Sequence, residues 1–382
     1  MDDRELHARL IGQQGSRAAL NTPVLVLDLD ALDRNIGTMA ATLKAKGVGS
    51  RPHAKTHKSV DIAKRQLAAG ALGVCCAKIG EAEVLADGGI TGILITSPVT
   101  APGAIARLAA LAKRSPGLMA AVDNPEVAKR LQHALAEAGA TLDVAIDIDP
   151  GIRRTGVASA ADAVALAEAI VVADNLLYRG VQYYCGAQQH IEGFAERRAA
   201  IVERTDYLKT VIAALIEAGY PPEIVTGSGT GTHLIDLELG VFTEYQTGSY
   251  VFMDKQYLDC DLAGEGAGAP PFETSLAVDA RVVSANSEPL ITIDAGFKSL
   301  STDGGVAVVQ RGPAEGAMFV FMGDEHAALI APEIAKKLRP GDAVSLTVPH
   351  CDPTVNLYDF YHVVRGDTLI DLWPVSARGR AR

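Results

Sequence analysis

Aromatic residues are scarce in this chain of 382 residues, at 5% with a single tryptophan, although 48% of its residues are hydrophobic. A core of that size with few rings must be built from Ala, Val and Leu with Gly at close approaches, the balance of a parallel α/β protein. Positive charge is also short: 35 Lys and Arg against 46 Asp and Glu leave a net charge of −11. That argues against nucleic acid and against an anionic membrane surface, which both demand concentrated Lys and Arg, and favours a small-molecule partner. No apolar run is long enough to span a bilayer, and the opening MDDRELHARL has neither the basic nor the apolar stretch of a signal peptide, so a cytoplasmic protein is expected. The five cysteines (Cys75, Cys76, Cys185, Cys260, Cys351) are odd in number and include no CxxC pair. They fit reduced thiols better than a disulfide framework or a zinc knuckle.

The length suits one large domain and a smaller one. Residues 1–21 are polar and read as a short helix packed on another part of the molecule. Pro23 to Asp28 reads as a buried strand, and Asp30 is the expected cap of an amphipathic helix running to about Lys46. Short apolar strands then recur near 49–54, 73–76, 92–95, 118–121, 142–147, 177–183, 224–226 and 249–253, with helical patterns between them. Eight such βα units predict a (β/α)8 TIM barrel over residues 25–264, because an open doubly wound sheet usually stops at five to seven strands. A Gly/Pro-rich stretch, GEGAGAPPFE, follows. Beyond it alternating strand-like runs predict a second, mostly β domain over 265–382, to which the early strand within 1–28 is expected to return.

Four segments carry chemistry-bearing residues. In Ser50-Arg-Pro-His53-Ala-Lys55-Thr-His57-Lys58 a lysine stands at a barrel strand end, where desolvation and the neighbouring His53, His57 and Lys58 are expected to lower its pKa towards a usable amine. Read alone, the segment fits a surface Lys/His cluster equally well. Thr226-Gly-Ser228-Gly229-Thr230-Gly231-Thr232 follows the predicted seventh strand, a common phosphate-binding position in barrels, although a plain Gly/Ser/Thr turn is the competing reading. A lysine and a phosphate cradle in one barrel mouth suggest pyridoxal phosphate. Asp147 to Gly156, with Arg154, ends the predicted fifth strand, where a guanidinium could hold the cofactor's phenolate oxygen or simply pair with a surface aspartate. Gly180 to His190 ends the sixth; Gln182 could face the pyridine nitrogen, and Tyr184 either joins the site or packs on the next helix. In the second domain His350-Cys351-Asp352, read as extended chain, turns His350 and Asp352 to one side as two ligands for Mn2+, Mg2+, Co2+ or Zn2+, with Cys351 pointing away; an isolated pair of this kind is more often a core histidine and its partner.

In this order the segments resemble the fold-type III pyridoxal phosphate enzymes with an alanine racemase-like barrel, in the branch of D-threonine aldolase, D-serine dehydratase and the 3-hydroxyaspartate aldolases and dehydratases. The resemblance covers nearly the whole chain. RPHAKTHK is similar to the segment of the Schiff-base lysine, placing it at Lys55, and the Gly/Thr run is similar to the phosphate loop. EYQTGSYVFMD (Glu244 to Asp254) resembles the segment after it, which adds Gly248, Ser249 and Tyr250 to the implied cofactor site. VPHCDPTVNLYD resembles the metal site and WPVSARG (Trp373 to Gly379) the C-terminal signature. Aldolases of the branch resemble this chain's His-x-Asp, dehydratases a His-x-Cys, so Asp352 favours the aldolase. Two positions depart from the pattern: Cys185 stands where some D-threonine aldolases have histidine, and Ala77 where a glutamine is often seen.

The resemblance implies a homodimer, with Lys55, His350 and Asp352 carrying retro-aldol cleavage of a D-β-hydroxy-α-amino acid to glycine and an aldehyde. A glutamine beside the ring nitrogen implies a largely unprotonated pyridine. Elimination of water from the same substrates is the alternative on this scaffold. A non-catalytic cofactor carrier is disfavoured by the second domain.

Overall fold

Side-chain oxygens just ahead of the helices set where several of them begin. The computed structural model describes residues 2–264, 270–287, 289–331, 333 and 337–382. Strand β1 (Val24–Asp28) ends in Asp28, whose Oδ1 accepts from the backbone N–H of Asp30 and Ala31 and so caps the helix Leu29–Ala45. The cap is thus Asp28 and not Asp30, because Asp28 is the residue still in the extended conformation that a cap requires. Asn124 caps Pro125–Ala138 in the same way, and Gly139 stops that helix in the left-handed conformation.

Strands β2 (Gly49–Ser50), β3 (Cys75–Cys76), β4 (Leu94–Ile95), β5 (Met119–Val122), β6 (Leu142–Asp147), β7 (Leu176–Tyr183), β8 (Ile224–Gly227) and β9 (Glu244–Tyr245) pair in parallel in the order β2-β9-β8-β7-β6-β5-β4-β3. A parallel bridge between His53 and Cys75 joins the ends of that order: Cys75 N–H donates to Pro52 O at 2.8 Å and Ala54 N–H to Cys75 O at 2.7 Å. The result is a TIM-like barrel with alternating helices. Between β2 and β9 the buried Arg51 guanidinium forks onto Glu244, Nε to Oε1 at 2.8 Å and Nη2 to Oε2 at 2.9 Å.

One predicted strand is displaced. The eighth barrel strand is Glu244–Tyr245, and Ser249–Val251, expected within a strand, is a 3-10 turn. Gly248 explains the shift: a Cβ there would fall 2.6 Å from Thr56 Oγ1, so the chain bends across the barrel mouth at the one residue that fits.

The second domain is a mostly β layer, nine-stranded among the described residues. Its strands β10 (Leu276–Ser287), β11 (Leu290–Ile293), β12 (Val308–Arg311), β13 (Met318–Phe321), β14 (Ala327–Ile330), β15 (Ala343–Thr347), β16 (Phe360–Arg365) and β17 (Thr368–Pro374) take β1 between β10 and β16. The boundary expected at 264/265 meets residues 265–269, outside the described residues. The N-terminal segment forms a short helix, Asp3–His7, with two 3-10 turns, and it packs on this sheet. Asn21 N–H donates to His7 Nε2 at 3.0 Å, which leaves His7 Nδ1–H to donate to His362 Nε2 at 2.8 Å. Three contacts tie the sheet to the lysine loop: Tyr361 OH donates to His57 O at 2.6 Å, Ala377 N–H to Lys58 O at 2.8 Å, and Val60 N–H to Ser376 Oγ at 3.4 Å.

Candidate active site

At the carboxyl ends of the barrel strands lies a cleft of about 750 Å³, the face on which barrel enzymes carry their chemistry. Lys55 lines it from the loop after β2, and His350 and Asp352 enter from the second domain. Lys55 Nζ donates to Asp352 Oδ1 at 2.8 Å, and the lysine side chain stays 41% exposed. The amine is therefore not softened in the way the sequence suggests. The Asp352 carboxylate raises its pKa and outweighs the burial that would lower it. Burial pushes the Asp352 carboxyl up, yet Lys55 and His350 together hold it below the usual carboxylate range.

The segment after β15 is positioned by its backbone. His350 N–H donates to Ser301 Oγ at 3.0 Å, and Cys351 N–H donates to Asp254 Oδ2 at 2.8 Å. It is not extended as expected: His350 is the N-terminal flank of a short helix, Cys351–Val355. The two side chains converge nonetheless, His350 Nε2 lying 3.9 Å from Asp352 Oδ2, and Cys351 is buried. His350 Nδ1 lies 2.8 Å from Asp303 Oδ2. A carboxylate there holds the hydrogen on Nδ1 and turns the Nε2 lone pair towards Asp352, the donor arrangement of a carboxylate-oriented histidine ligand. Nothing in the spacing of the sequence links Asp303 to His350, 47 positions apart.

Of the other expected site residues, Arg154, Gln182, Tyr184, Gly229, Thr230, Gly248 and Ser249 line the cleft. The Arg154 guanidinium carbon sits 5.8 Å from the centre of the Tyr184 ring, so that tyrosine faces the cleft and not only a helix. Ser228, Gly231, Thr232 and Tyr250 are not among the lining residues. Gly231 N–H donates to Gln189 Oε1 at 3.0 Å, Thr232 Oγ1 to Asp236 Oδ2 at 2.6 Å, and the Tyr250 hydroxyl accepts from Gln66 Nε2 at 3.2 Å. These groups build the loop from behind. Ser228 is buried in the left-handed conformation, φ 66°, at the turn out of β8. Lys298 is exposed and pairs with Glu325, and neither it nor His326 lines the cleft.

Other lining residues differ from expectation, His53 in being neutral where a cation beside Lys55 was expected, and His190 in having had no expected role. His53 accepts from Lys55 N–H at 3.3 Å and lies 3.1 Å from Thr96 Oγ1; burial and the Lys55 charge keep it neutral. His190 stacks tilted on Tyr257 with ring centres 4.5 Å apart, and burial followed by the charges of His350 and Lys55 lowers its pKa. Its signal was its position in the loop after the sixth barrel strand. Cys185 is not a lining residue and its thiol is pushed up to about 12 by burial, so the departure there does not alter the cleft; Ala77 does line it.

The cleft fits pyridoxal phosphate in its donor chemistry. Thr56 Oγ1 is buried, lines the cleft and has no partner, and Gly229 and Gly248 approach where a Cβ would collide. A second set of ligand-type atoms, on Asp3, His7 and His362, lies within 4.8 Å of one another. There the Asn21–His7–His362 hydrogen-bond chain occupies both imidazole lone pairs, leaving them none for an ion.

The sequence profile of the alanine racemase N-terminal domain matches residues 27–256, and that of a serine dehydratase domain residues 275–364. The chain belongs to this alanine racemase-like family. Within it, the chain is 38% identical over 363 residues to the 3-hydroxy-D-aspartate aldolase of Paracoccus denitrificans (strain Pd 1222), covering 94% of this chain and 93% of that one. It is 37% identical over 366 residues to the D-threonine aldolase of an Arthrobacter species, covering 96% and 94%. The crystal structure of D-threonine aldolase from Filomicrobium marinum superposes with a TM-score of 0.90 at 40% identity, covering 96% and 97%. No helix among the described residues is long and apolar enough to cross a membrane.

Proposed function

We propose that this protein is a pyridoxal phosphate- and divalent cation-dependent aldolase that cleaves D-β-hydroxy-α-amino acids of the D-threonine type to glycine and an aldehyde. The observation that carries the reading is the meeting, in one cleft, of the Lys55 amine with His350 and Asp352 from the other domain. Lys55 is assigned as the cofactor's anchor, with Arg154, Gln182, Tyr184, Thr56, Gly229, Thr230, Gly248 and Ser249 around it. His350 Nε2 and Asp352 are assigned to a divalent cation, Mn2+ first among Mn2+, Mg2+, Co2+ and Zn2+; two ligands of mixed type leave positions for water or substrate. Bound pyridoxal phosphate supplies an electron sink for the pair left on Cα when Cα–Cβ breaks.

The protein's own groups do the rest. His350 and Asp352 would hold the cation, which would supply a Lewis acid that lowers the pKa of the substrate's β-hydroxyl. His190, kept neutral by burial, accepts the hydroxyl proton; the O–H pair becomes the aldehyde C=O, and the Cα–Cβ pair passes to Cα. A proton returned to Cα completes glycine. Tyr257, stacked on His190, holds that imidazole over the cleft.

The decisive experiment is incubation with D-threonine and Mn2+. Acetaldehyde and glycine in equal amounts support the reading, whereas 2-oxobutanoate and ammonia identify a dehydratase and overturn it. We further propose a homodimer. Met318 and Val320 on the edge strand β13, with Met322, Val306, Val308 and Phe297 nearby in the same domain, are exposed apolar residues of the kind a second copy would cover. Five free cysteines support a reducing, cytoplasmic setting.

A further inference from the structure

The side-chain amide of Gln182 has its two hydrogens engaged by the protein. Nε2 donates to Thr96 O at 2.8 Å and to Asp147 Oδ1 at 2.9 Å. Thr96 O is a backbone carbonyl with no hydrogen to offer, so the amide cannot turn over without setting one oxygen against another. Oε1 accepts from Gln246 Nε2 at 3.3 Å, and that nitrogen also donates to Thr226 Oγ1 at 3.0 Å. Gln182 lines the cleft, and the only valence of its amide still open is a lone pair on Oε1. Asp147, 5% exposed, stands behind it at the end of β6 and also accepts from Thr155 Oγ1 at 2.7 Å. Among the described residues it has no ion pair, since its two hydrogen-bond partners are neutral, and burial raises its pKa to about 6, so it is ionised at pH 8.

We infer that Gln182, locked as an acceptor by Asp147 and Thr96, holds the ring nitrogen of the cofactor in its protonated form, with Asp147 as the positioning residue. The inference rests on the proposed function, in that it takes pyridoxal phosphate to occupy the cleft with its ring nitrogen towards Gln182. It reverses the expectation drawn from residue type. A glutamine can give or take a hydrogen bond, and an unprotonated pyridine would need it to give; here both donors are already engaged. An acceptor facing a nitrogen calls for hydrogen on that nitrogen, and the Asp147 carboxylate one residue behind favours the positive charge this brings. A protonated ring draws electrons more strongly and is the better sink for the pair left on Cα. The charged groups around Asp147 act in both directions: Asp123 disfavours its ionised form and Arg154 favours it.

The test reads the nitrogen itself. Full-length protein is loaded with 15N-labelled pyridoxal phosphate without substrate, and its ring nitrogen resonance is recorded at pH 8. The expected result is the pyridinium position for the wild type and the neutral pyridine position for Asp147→Asn, with cofactor affinity about 10-fold weaker in the variant. Gln182→Met, which removes the acceptor and leaves Asp147 in place, is expected to give the same neutral resonance and guards against a folding defect peculiar to Asp147→Asn. A neutral resonance in the wild type, or a pyridinium resonance in both variants, overturns the inference while leaving the aldolase reading intact. Failure of the wild type to load at Lys55, seen as absorbance that Lys55→Ala does not abolish, overturns both.

Discussion

Asp303→Ala removes the carboxylate that orients His350 without touching either proposed cation ligand. Asp303 Oδ2 lies 2.8 Å from His350 Nδ1, and His350 Nε2 points to Asp352 3.9 Å away. Loss of such a partner leaves the ring free to rotate and less basic, and typically costs 10- to 100-fold in metal affinity, about 1.4 to 2.7 kcal/mol. The Asp303 side chain is 55% exposed, so water will replace part of the lost interaction. The lower end, roughly 10-fold, is the expected value. The measurement is a Mn2+ titration of cation-free, cofactor-loaded protein followed by calorimetry, with aldehyde release as a second readout. The variant should need roughly 10-fold more Mn2+ for half-maximal activity and recover most of the wild-type rate when saturated. Unchanged Mn2+ affinity would refute the orienting role. Cofactor loading lost along with the cation would show that Asp303 acts on the fold instead.

Three further outcomes are expected. Lys55→Ala should lose the absorbance of bound cofactor, and it should bind Mn2+ at least ~10-fold more tightly than cofactor-free wild type, because the ammonium no longer occupies Asp352; equal affinities would show that the ion pair does not compete with the cation. Glu244→Gln should lower stability by about 3–5 kcal/mol, since it strands Arg51 as a buried charge between β2 and β9; a denaturation midpoint within experimental error of wild type would contradict this. Burial holds His57, His233 and His362 down to about 4 from an ordinary 6.5. A depressed folded-state value means stability is intact above pH 6.5 and lost as pH falls towards 4, at about 3 kcal/mol per histidine. Urea midpoints that stay flat from pH 7 to pH 4 would sink that reasoning.

The barrel was legible because its information is local. Eight apolar strands alternate with capped helical patterns, and Leu142–Asp147 and Ile224–Gly227 fall within two residues of where periodicity puts them. The displaced eighth strand shows the limit. Glu244–Tyr245 is only two residues long, too short for a period to register, whereas the apolar SYVFM run is buried by its 3-10 turn and not by a sheet. The lysine's environment escapes the sequence for a related reason: burial keeps its neighbours His53 and His57 neutral, Lys58 pairs with Glu81, and its nearest charge in space is Asp352, 297 positions away.

Residue types, their order and their periodicity determined by themselves that this chain forms a barrel followed by a β domain, and which lysine and which His-x-Asp pair were worth watching. Only the tertiary structure decided that Asp352 reaches Lys55, that Asp303 stands behind His350, that His190 enters the cleft, and which face of the Gln182 amide is open. Each of those depends on a hydrogen bond or a cleft wall between elements distant in sequence. Such contacts leave no trace in local pattern, because their geometry exists only once elements far apart in the chain have packed together.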